Sequence, residues 1–389
     1  MLMHPSRRNT VSALVHLLLA IPLTPIVAIV LVVRKAFLGP FRIVVVAPET
    51  AFSFFIGIME LLRGRSTETQ KFDLVIVLDR WPHYTFGELY QTELSTRIVW
   101  SKGLYRLVYQ ALLLQPQQLV SVERLDWRNL RREFHLSNQP MSIPEALEKL
   151  GRTTLQQIGC AGRRLVALSV YTRDYDEERS PRGYVDTRKN LETVGTELND
   201  AISFLKSENI DVVLLGSPDT GRSRIPRGIP RLAEFGTLGG PHEVAIASGC
   251  DYFWTDAVGA AWLCFPFRRP WLITNQYSLR TDRHLYVMDH LAIPVRFLSR
   301  DGRLMTIREE LAAKPPFSKM DEYQWIRNSP EEIVEAHKEM LARLDGTWVE
   351  SPAAQEVQRR YEDIFVEFPQ YYPLKISTTF LIKHQYLLE

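Results

Sequence analysis

The stretch 251-DYFWTDAVGAAWLCFPFRRPWLITN-275 decides how this chain is read. An apolar run stops at Thr255-Asp256, passes through the small residues Ala257, Gly259, Ala260 and Ala261, and resumes as a second apolar run ending at Asn275. Short apolar runs bounded by turn residues read as buried strands. The stretch therefore predicts strand, polar tip, small-residue helix start and strand, half of a βαβ unit. At the carboxyl ends of parallel strands such a tip faces a ligand crevice, and a helix amino end there offers N–H groups to an anion.

The same alternation recurs on both sides. FRIVVVAPET (41–50) reads as a strand with a polar tip, followed by the apolar helix FSFFIGIMELLRG and a second strand and tip in 73-DLVIVLDRWPHYTF-86. A Pro-bounded helix, IPEALEKLG, closes this first unit. A second unit opens with the strand of 164-RLVALSVYTRDYDEERSPRGYVDTRKN-190 and its charged loop, then the helix LETVGTELNDAISFLKSEN, the strand DVVLLGS with tip PDTG, and the helix HEVAIASG. Strand alternating with helix predicts parallel, doubly wound sheets. The expected division is 1–40 as a membrane-associated segment, 41–160 and 161–350 as two Rossmann-like domains facing a cleft, and 351–389 as a helix and tail packing back on them. Within the second, SPEEIVEAHKEMLARLDG is a helix with Ser329 as its cap and Gly346 as its stop.

Composition agrees with a folded protein of this size. The 389 residues exceed one ordinary core, and 46% apolar with 24% charged residues are globular values. A net charge of +2 without a basic run argues against nucleic acid as a partner. The three cysteines, Cys160, Cys250 and Cys264, lack metal-ligand spacing and read as small buried residues in a reducing compartment.

The amino terminus departs from this profile. VSALVHLLLAIPLTPIVAIVLVV, residues 11–33, contains no Lys, Arg, Asp or Glu, and as a straight helix it would span roughly 34 Å, enough for a hydrocarbon core. Pro22 and Pro25 interrupt it, and both flanks are basic, with Arg7 and Arg8 before and Arg34, Lys35 and Arg42 after. Two readings stay open: a re-entrant helix-break-helix returning to the cytoplasmic face, and a single kinked span. Either attaches the chain to a membrane through residues 11–33, with the catalytic domains expected in the cytoplasm.

Candidate site residues fall at the strand tips. In the second unit these are Arg173, Arg188 and Asn190 on the first loop, Gly216 and Ser217 after the next strand, and Thr255, Asp256 and Gly259 after the third. Arginine supplies bidentate donors for phosphate and glycine permits close backbone approach. Such a set suits a nucleotide diphosphate held without metal. The blander reading pairs the arginines with Asp174, Asp176, Glu177 and Glu178 on the same loop. Asp256 suits a ribose hydroxyl or a helix cap, Asn275 a ligand contact or a turn, and His242 a phosphate or sugar contact or a surface position at a helix start. In the first unit Glu49 and His83 lie just beyond their strands and are the candidates for a general base; a histidine titrates near neutrality unaided, whereas Glu49 would need burial. Asp174-Tyr175-Asp176 matches a metal-binding D-x-D triplet but reads as part of a solvated loop.

The segment TDAVGAAWLCFPFRRPWLITN resembles the donor-site strand-turn-helix of two-Rossmann (GT-B) glycosyltransferases. YVDTRKN with the helix and DVVLLG after it, IPVRFLSRDGRLMTIREE, NSPEEIVEAHKEMLARLDG and ISTTFLIKHQYLLE are similar, in that order, to blocks of a bacterial glycosyltransferase family. The resemblance covers most of 160–389 and, more loosely, 41–115. It departs from the family pattern in three places: Arg188-Lys189-Asn190 stands where an Arg-Asn pair is usual, Ala257-Val258-Gly259 where a Ser-Gly is usual, and Pro48-Glu49-Thr50 where a Gly-His is usual. The resemblance implies sugar transfer from a nucleotide-diphosphate-sugar donor to a lipid-linked or cell-surface polysaccharide acceptor, with no metal or other cofactor. Helix amino ends and cationic side chains would then stabilise the leaving diphosphate. Two other readings accompany it, a sugar-nucleotide epimerase or hydrolase on the same fold and a non-catalytic membrane scaffold of polysaccharide assembly.

Overall fold

The computed structural model describes residues 84–100, 139–160, 164–170, 195–216, 240–256, 262–276, 290–313 and 323–389 except 370 and 372, with shorter pieces at 43–46, 74–77 and 119–120 and within 56–63 and 228–235, together with Pro25, Ile29 and Leu279. The chain divides into two units, Met1–Asn138 and Gln139–Glu389. This moves the expected boundary at 160/161 upstream.

The first unit holds a parallel sheet of four strands, β1 (Ile43–Val46), β2 (Leu74–Val77), β3 (Arg97–Trp100) and β4 (Leu119–Val120), in the order β3-β2-β1-β4. β1 and β2 are neighbours and end in register, Val46 beside Val77. Helix α1 (Tyr84–Glu93) comes after β2 and buries Phe86 and Tyr90. The Tyr90 hydroxyl donates to Glu60 Oε1 at 2.9 Å, and Arg63 binds the other oxygen of this buried carboxylate at 3.1 Å, so the charge is compensated where it leaves water.

The second unit is built on five parallel strands, β5 (Arg164–Ser169), β6 (Ile210–Leu214), β7 (Tyr252–Thr255), β8 (Trp271–Gln276) and β9 (His290–Pro294), in the order β6-β5-β7-β8-β9. Their continuous burial is that of strands covered on both faces. On one face lie α3 (Gly195–Ser207) and α6 (Pro330–Leu344), packed on each other. The other pair, α2 (Glu145–Gln157) and α4 (Pro241–Gly249), packs together as well, with α4 against β5. Because α2 belongs to this layer, it falls in the second unit rather than closing the first.

Gly151 is the expected end of that helix, yet α2 continues through it to Gln157. The glycine is there for packing: a Cβ at 151 would lie 3.1 Å from the Ala245 Cβ on α4. The absent side chain lets two helices approach closely, at a propensity cost of about 1 kcal/mol.

Two small additions complete the unit. β10 (Arg296–Leu298) and β11 (Gln324–Ile326) form an antiparallel pair, and α5 (Ile307–Ala313) lies between them in sequence. The carboxyl-terminal part, α7 (Pro352–Val366) and α8 (Thr378–Lys383), packs on the second unit, with Lys375 and Ser377 bonding both sides of Ala292 on β9. Among the described residues no helix is long and apolar enough to cross a membrane. Of residues 11–33 only Pro25 and Ile29 are described, both helical.

Candidate functional site

The order β6-β5-β7-β8-β9 places a reversal between β5 and β7. The chain leaves β5 for α3 on one face and leaves β6 for α4 on the other, so the switch point lies at the carboxyl ends of β5 and β7, where parallel sheets commonly bind ligands. The candidate site occupies that edge.

β5 ends at Ser169, which stands in register with Thr255 at the end of β7; both are buried. Asp256 comes directly after, only partly covered. On the other side β6 runs into Leu215, whose N–H donates to Leu168 O at 2.7 Å, and then Gly216. Gly216 has φ +104°, in the region open to glycine. Its N–H donates to Glu243 Oε1 at 2.7 Å. Glu243 is 3% exposed and sits in the first turn of α4. One carboxylate therefore ties the tip of β6 to the amino end of α4, where negative charge is favoured by the helix dipole. Arg231 comes alongside through a bridge to Leu214.

Gly240 begins α4 without a side-chain cap, and Pro241 takes the first helical position. His242 is next, its Nδ1 2.8 Å from Thr154 Oγ1 and its ring 5.9 Å from that of Phe235. The Thr154 hydroxyl proton goes to Leu150 O at 2.8 Å, so Nδ1 must donate to Thr154 and the neutral ring keeps its lone pair on Nε2. His242 is thus set as a hydrogen-bond acceptor for a hydroxyl.

Asn275, near the end of β8, forms a hydrogen-bonded pair with Asn328. Its backbone is left-handed, φ +51°, at an irregularity in the pairing of β8 with β9. Its N–H donates to Asn328 Oδ1 at 2.5 Å, while Asn328 N–H donates to Asn275 Oδ1 at 2.8 Å and Asn328 Nδ2 to Pro294 O at 2.8 Å. This reciprocal pair pins the end of β8 to the residue before Ser329. Ser329 and Glu332 then form a capping box on α6.

The structure thus brings Gly216 and His242 to neighbouring positions at one edge and puts Thr255 and Asp256 on the same edge. Ser217, Gly259, Arg173, Arg188 and Asn190 lie outside the described residues, as do Asp174 and Asp176 and, in the first unit, Glu49 and His83. The helix start read at 257–261 lies there too. From Trp262 onward the chain makes a turn and a short 3-10 segment, Phe265–Phe267, with Pro266 inside it, so the described part of the connection from β7 to β8 holds no α-helix. Pro266 cannot donate to a helical ladder, and the buried aromatic pair Trp262 and Phe265, centroids 4.7 Å apart, packs the segment instead.

Glu243 and Asn328 were missed from sequence. An acidic residue in the turn after Gly-Gly-Pro is a signal for Glu243. Nothing local marks Asn328, whose partner is 53 residues away.

The fold defines a two-unit α/β protein with parallel sheets and a topological switch point in the second unit. No family model matches the chain, and no curated protein matches it significantly. Among solved structures it is similar to a glycosyl transferase family 9 protein from Veillonella parvula, with 11% identity, 78% of this chain and 98% of that one covered, and a TM-score of 0.43. It is also similar to the E. coli ADP-heptose lipopolysaccharide heptosyltransferase II, with 14% identity, 78% and 100% covered, and a TM-score of 0.40. A third, the Methanocaldococcus jannaschii UDP-GlcNAc 2-epimerase, shares 10% identity over 74% of this chain and 80% of that one, at a TM-score of 0.26.

Proposed function

We propose that the second unit binds the diphosphate of a nucleotide-sugar at the β5/β7 edge and that the chain is a glycosyltransferase. The observation that carries the reading is the uncapped amino end of α4 beside Gly216, held in place by buried Glu243 at the switch point. Helix amides stabilise phosphate oxygens, and a glycine tip lets the backbone come close to them. Asp256 would take a ribose hydroxyl and His242 Nε2 a sugar hydroxyl, with Arg173, Arg188 and Asn190 supplying further contacts from their loop and Ser217 and Gly259 from theirs. The sequence blocks that resemble GT-B enzymes supply the reaction class.

In this reading no metal is needed, because amides and guanidinium groups balance the leaving diphosphate. The first unit would bind the acceptor, a lipid-linked or surface polysaccharide, and its base would be Glu49 or His83. The two strands that precede these residues are neighbours and end in register. Residues 11–33 would attach the enzyme to the cytoplasmic face of the membrane on which such an acceptor resides.

The test is a thermal-shift screen of the full chain against nucleoside-diphosphate sugars in chelator, followed by product analysis of any hit with lipid-linked acceptors. A ligand that prefers the native state raises the midpoint. We expect at least one donor to do so and to be consumed only when an acceptor is present. Turnover to epimer or free sugar without acceptor would replace transfer by the epimerase reading, and no shift with any donor would end the proposal.

A further inference from the structure

A cluster of titratable side chains lies where the end of the chain meets the start of α6. Glu332 is 5% exposed, and its Oε2 accepts from the Ser329 N–H at 2.8 Å and from Arg296 Nη2 at 3.3 Å. Its Oε1 stands 2.6 Å from His384 Nε2. A carboxylate only accepts, so Nε2 carries the proton of that bond. Arg296 Nη1 lies 3.4 Å from Nε2 but 3.3 Å from Oε1, and the oxygen is its acceptor.

The other ring nitrogen meets a hydroxyl. His384 Nδ1 is 2.9 Å from the Tyr386 oxygen. With the proton on Nε2, the neutral ring keeps its lone pair on Nδ1, and the Tyr386 O–H donates to it. Hydroxyl, imidazole and carboxylate thus stand in one hydrogen-bonded line, the arrangement that turns a weakly reactive hydroxyl into a nucleophile.

The imidazole is held from several sides. His384 N–H donates to Phe380 O at 3.0 Å, the Phe380 ring lies 4.5 Å from the imidazole, and the Tyr386 ring meets it edge-on at 5.6 Å. His384 is 5% exposed, whereas Tyr386, on the 3-10 turn Gln385–Leu388, is 37% exposed. The base is sheltered and the residue that bears the hydroxyl reaches the surface. The aromatic surroundings suit an uncharged electrophile.

We propose that Tyr386 is an acylation site, with His384 as its general base and Glu332 holding the ring. The Tyr386 oxygen attacks the carbonyl carbon of an activated ester or thioester, and its proton passes to His384 Nδ1. The bond from that carbon to the leaving oxygen or sulfur breaks, and the leaving group takes the proton from Nδ1. The products are a tyrosyl ester and a free alcohol or thiol. An esterified Tyr386 has no proton to give Nδ1, so the modification removes one of the bonds at the chain end. The site is separate from the β5/β7 edge and does not depend on the chain being a sugar transferase.

The probe is p-nitrophenyl acetate, applied to the full chain in limiting amount, with acetylation of each tyrosine followed by peptide mass spectrometry. Tyr323, also partly exposed, is the internal reference. Tyr386 should react about tenfold or more faster than Tyr323 in the folded chain, a gain within the reach of general-base catalysis, and at the same rate in the urea-unfolded chain. His384→Gln, and Glu332→Gln, which keeps a capping-box residue at the start of α6, should each lower the Tyr386 rate several-fold and leave that of Tyr323 unchanged. A folded-state rate at Tyr386 no higher than at Tyr323 overturns the proposal without any substitution, and so does a rate that either substitution leaves as it was.

Discussion

Two buried glutamates on helices of the second unit accept backbone N–H groups, and what they hold differs. Glu243 grips Gly216 at the carboxyl edge. Glu339, on α6, is fully buried and gathers the end of the chain: its oxygens accept from Arg343, from the N–H groups of Thr378 and Thr379, and from the hydroxyls of Ser377 and Thr379. Nearby, Glu332 repeats the device. Burial opposes its ionisation, but His384 at 2.6 Å, the Ser329 N–H and the Arg296 charge outweigh that, and its carboxyl sits below the ordinary range. The chain end is thus fastened by redundant charged contacts, whereas Glu243 holds a glycine tip at the carboxyl edge of the sheet. Redundancy of this kind marks a part whose task is to stay fixed.

The sharpest break of that comparison is Glu339→Ala. It leaves Arg343 with only the longer Glu350 contact at 3.5 Å as a charge partner and strands the first amides of α8, and should lower unfolding free energy by about 3 kcal/mol in denaturant titration. A loss no larger than that of an ordinary surface change would show that the chain end is not held by this carboxylate. Gly216→Ala should come next, costing about 1–3 kcal/mol through its left-handed backbone and weakening nucleotide-sugar binding more than it weakens the fold.

His337 on α6 lies between them in kind. It is fully buried, its Nδ1 shares a hydrogen bond with the Tyr252 hydroxyl at 2.6 Å, and its ring meets Trp254 edge-on at 4.3 Å. Burial lowers its pKa from 6.5 to about 3. Between those values the unfolded chain binds the proton and the folded chain does not, so stability is complete above about pH 6.5 and falls as the pH drops toward 3. The slope is at most about 1.4 kcal/mol per pH unit. His337→Gln should flatten the dependence by that amount in unfolding curves taken at pH 7, 6 and 5; an unchanged slope would contradict a neutral buried ring. At the small end, Arg359 pairs with Glu356 and Asp363 on the exposed face of α7, and Arg359→Ala should leave the unfolding midpoint where it is.

The sequence carried the alternation well, because buried parallel strands are apolar throughout and the helices between them are not. It also carried the start of α6, where Ser329, Pro330 and Glu332 satisfy the helix amides locally. Gly151 misled, because a glycine that stops a helix and one that admits a neighbour look alike until Ala245 is placed beside it. The small residues after Asp256 lie outside the described residues, and the described part of that connection, from Trp262, is a turn and a short 3-10 segment around Pro266. Glu243 was within reach of a local rule. Asn328, Glu339 and His337 act on partners 53, 38 and 85 residues away, and periodicity holds no trace of such pairs.

Hydrogen exchange of the full chain, with and without a nucleoside diphosphate, tests the central claim most directly. The account predicts slowed exchange at 216, at 240–243 and at 255–256, with the 375–384 segment unchanged. Binding that leaves those three stretches as they were, and protects amides elsewhere, would contradict it.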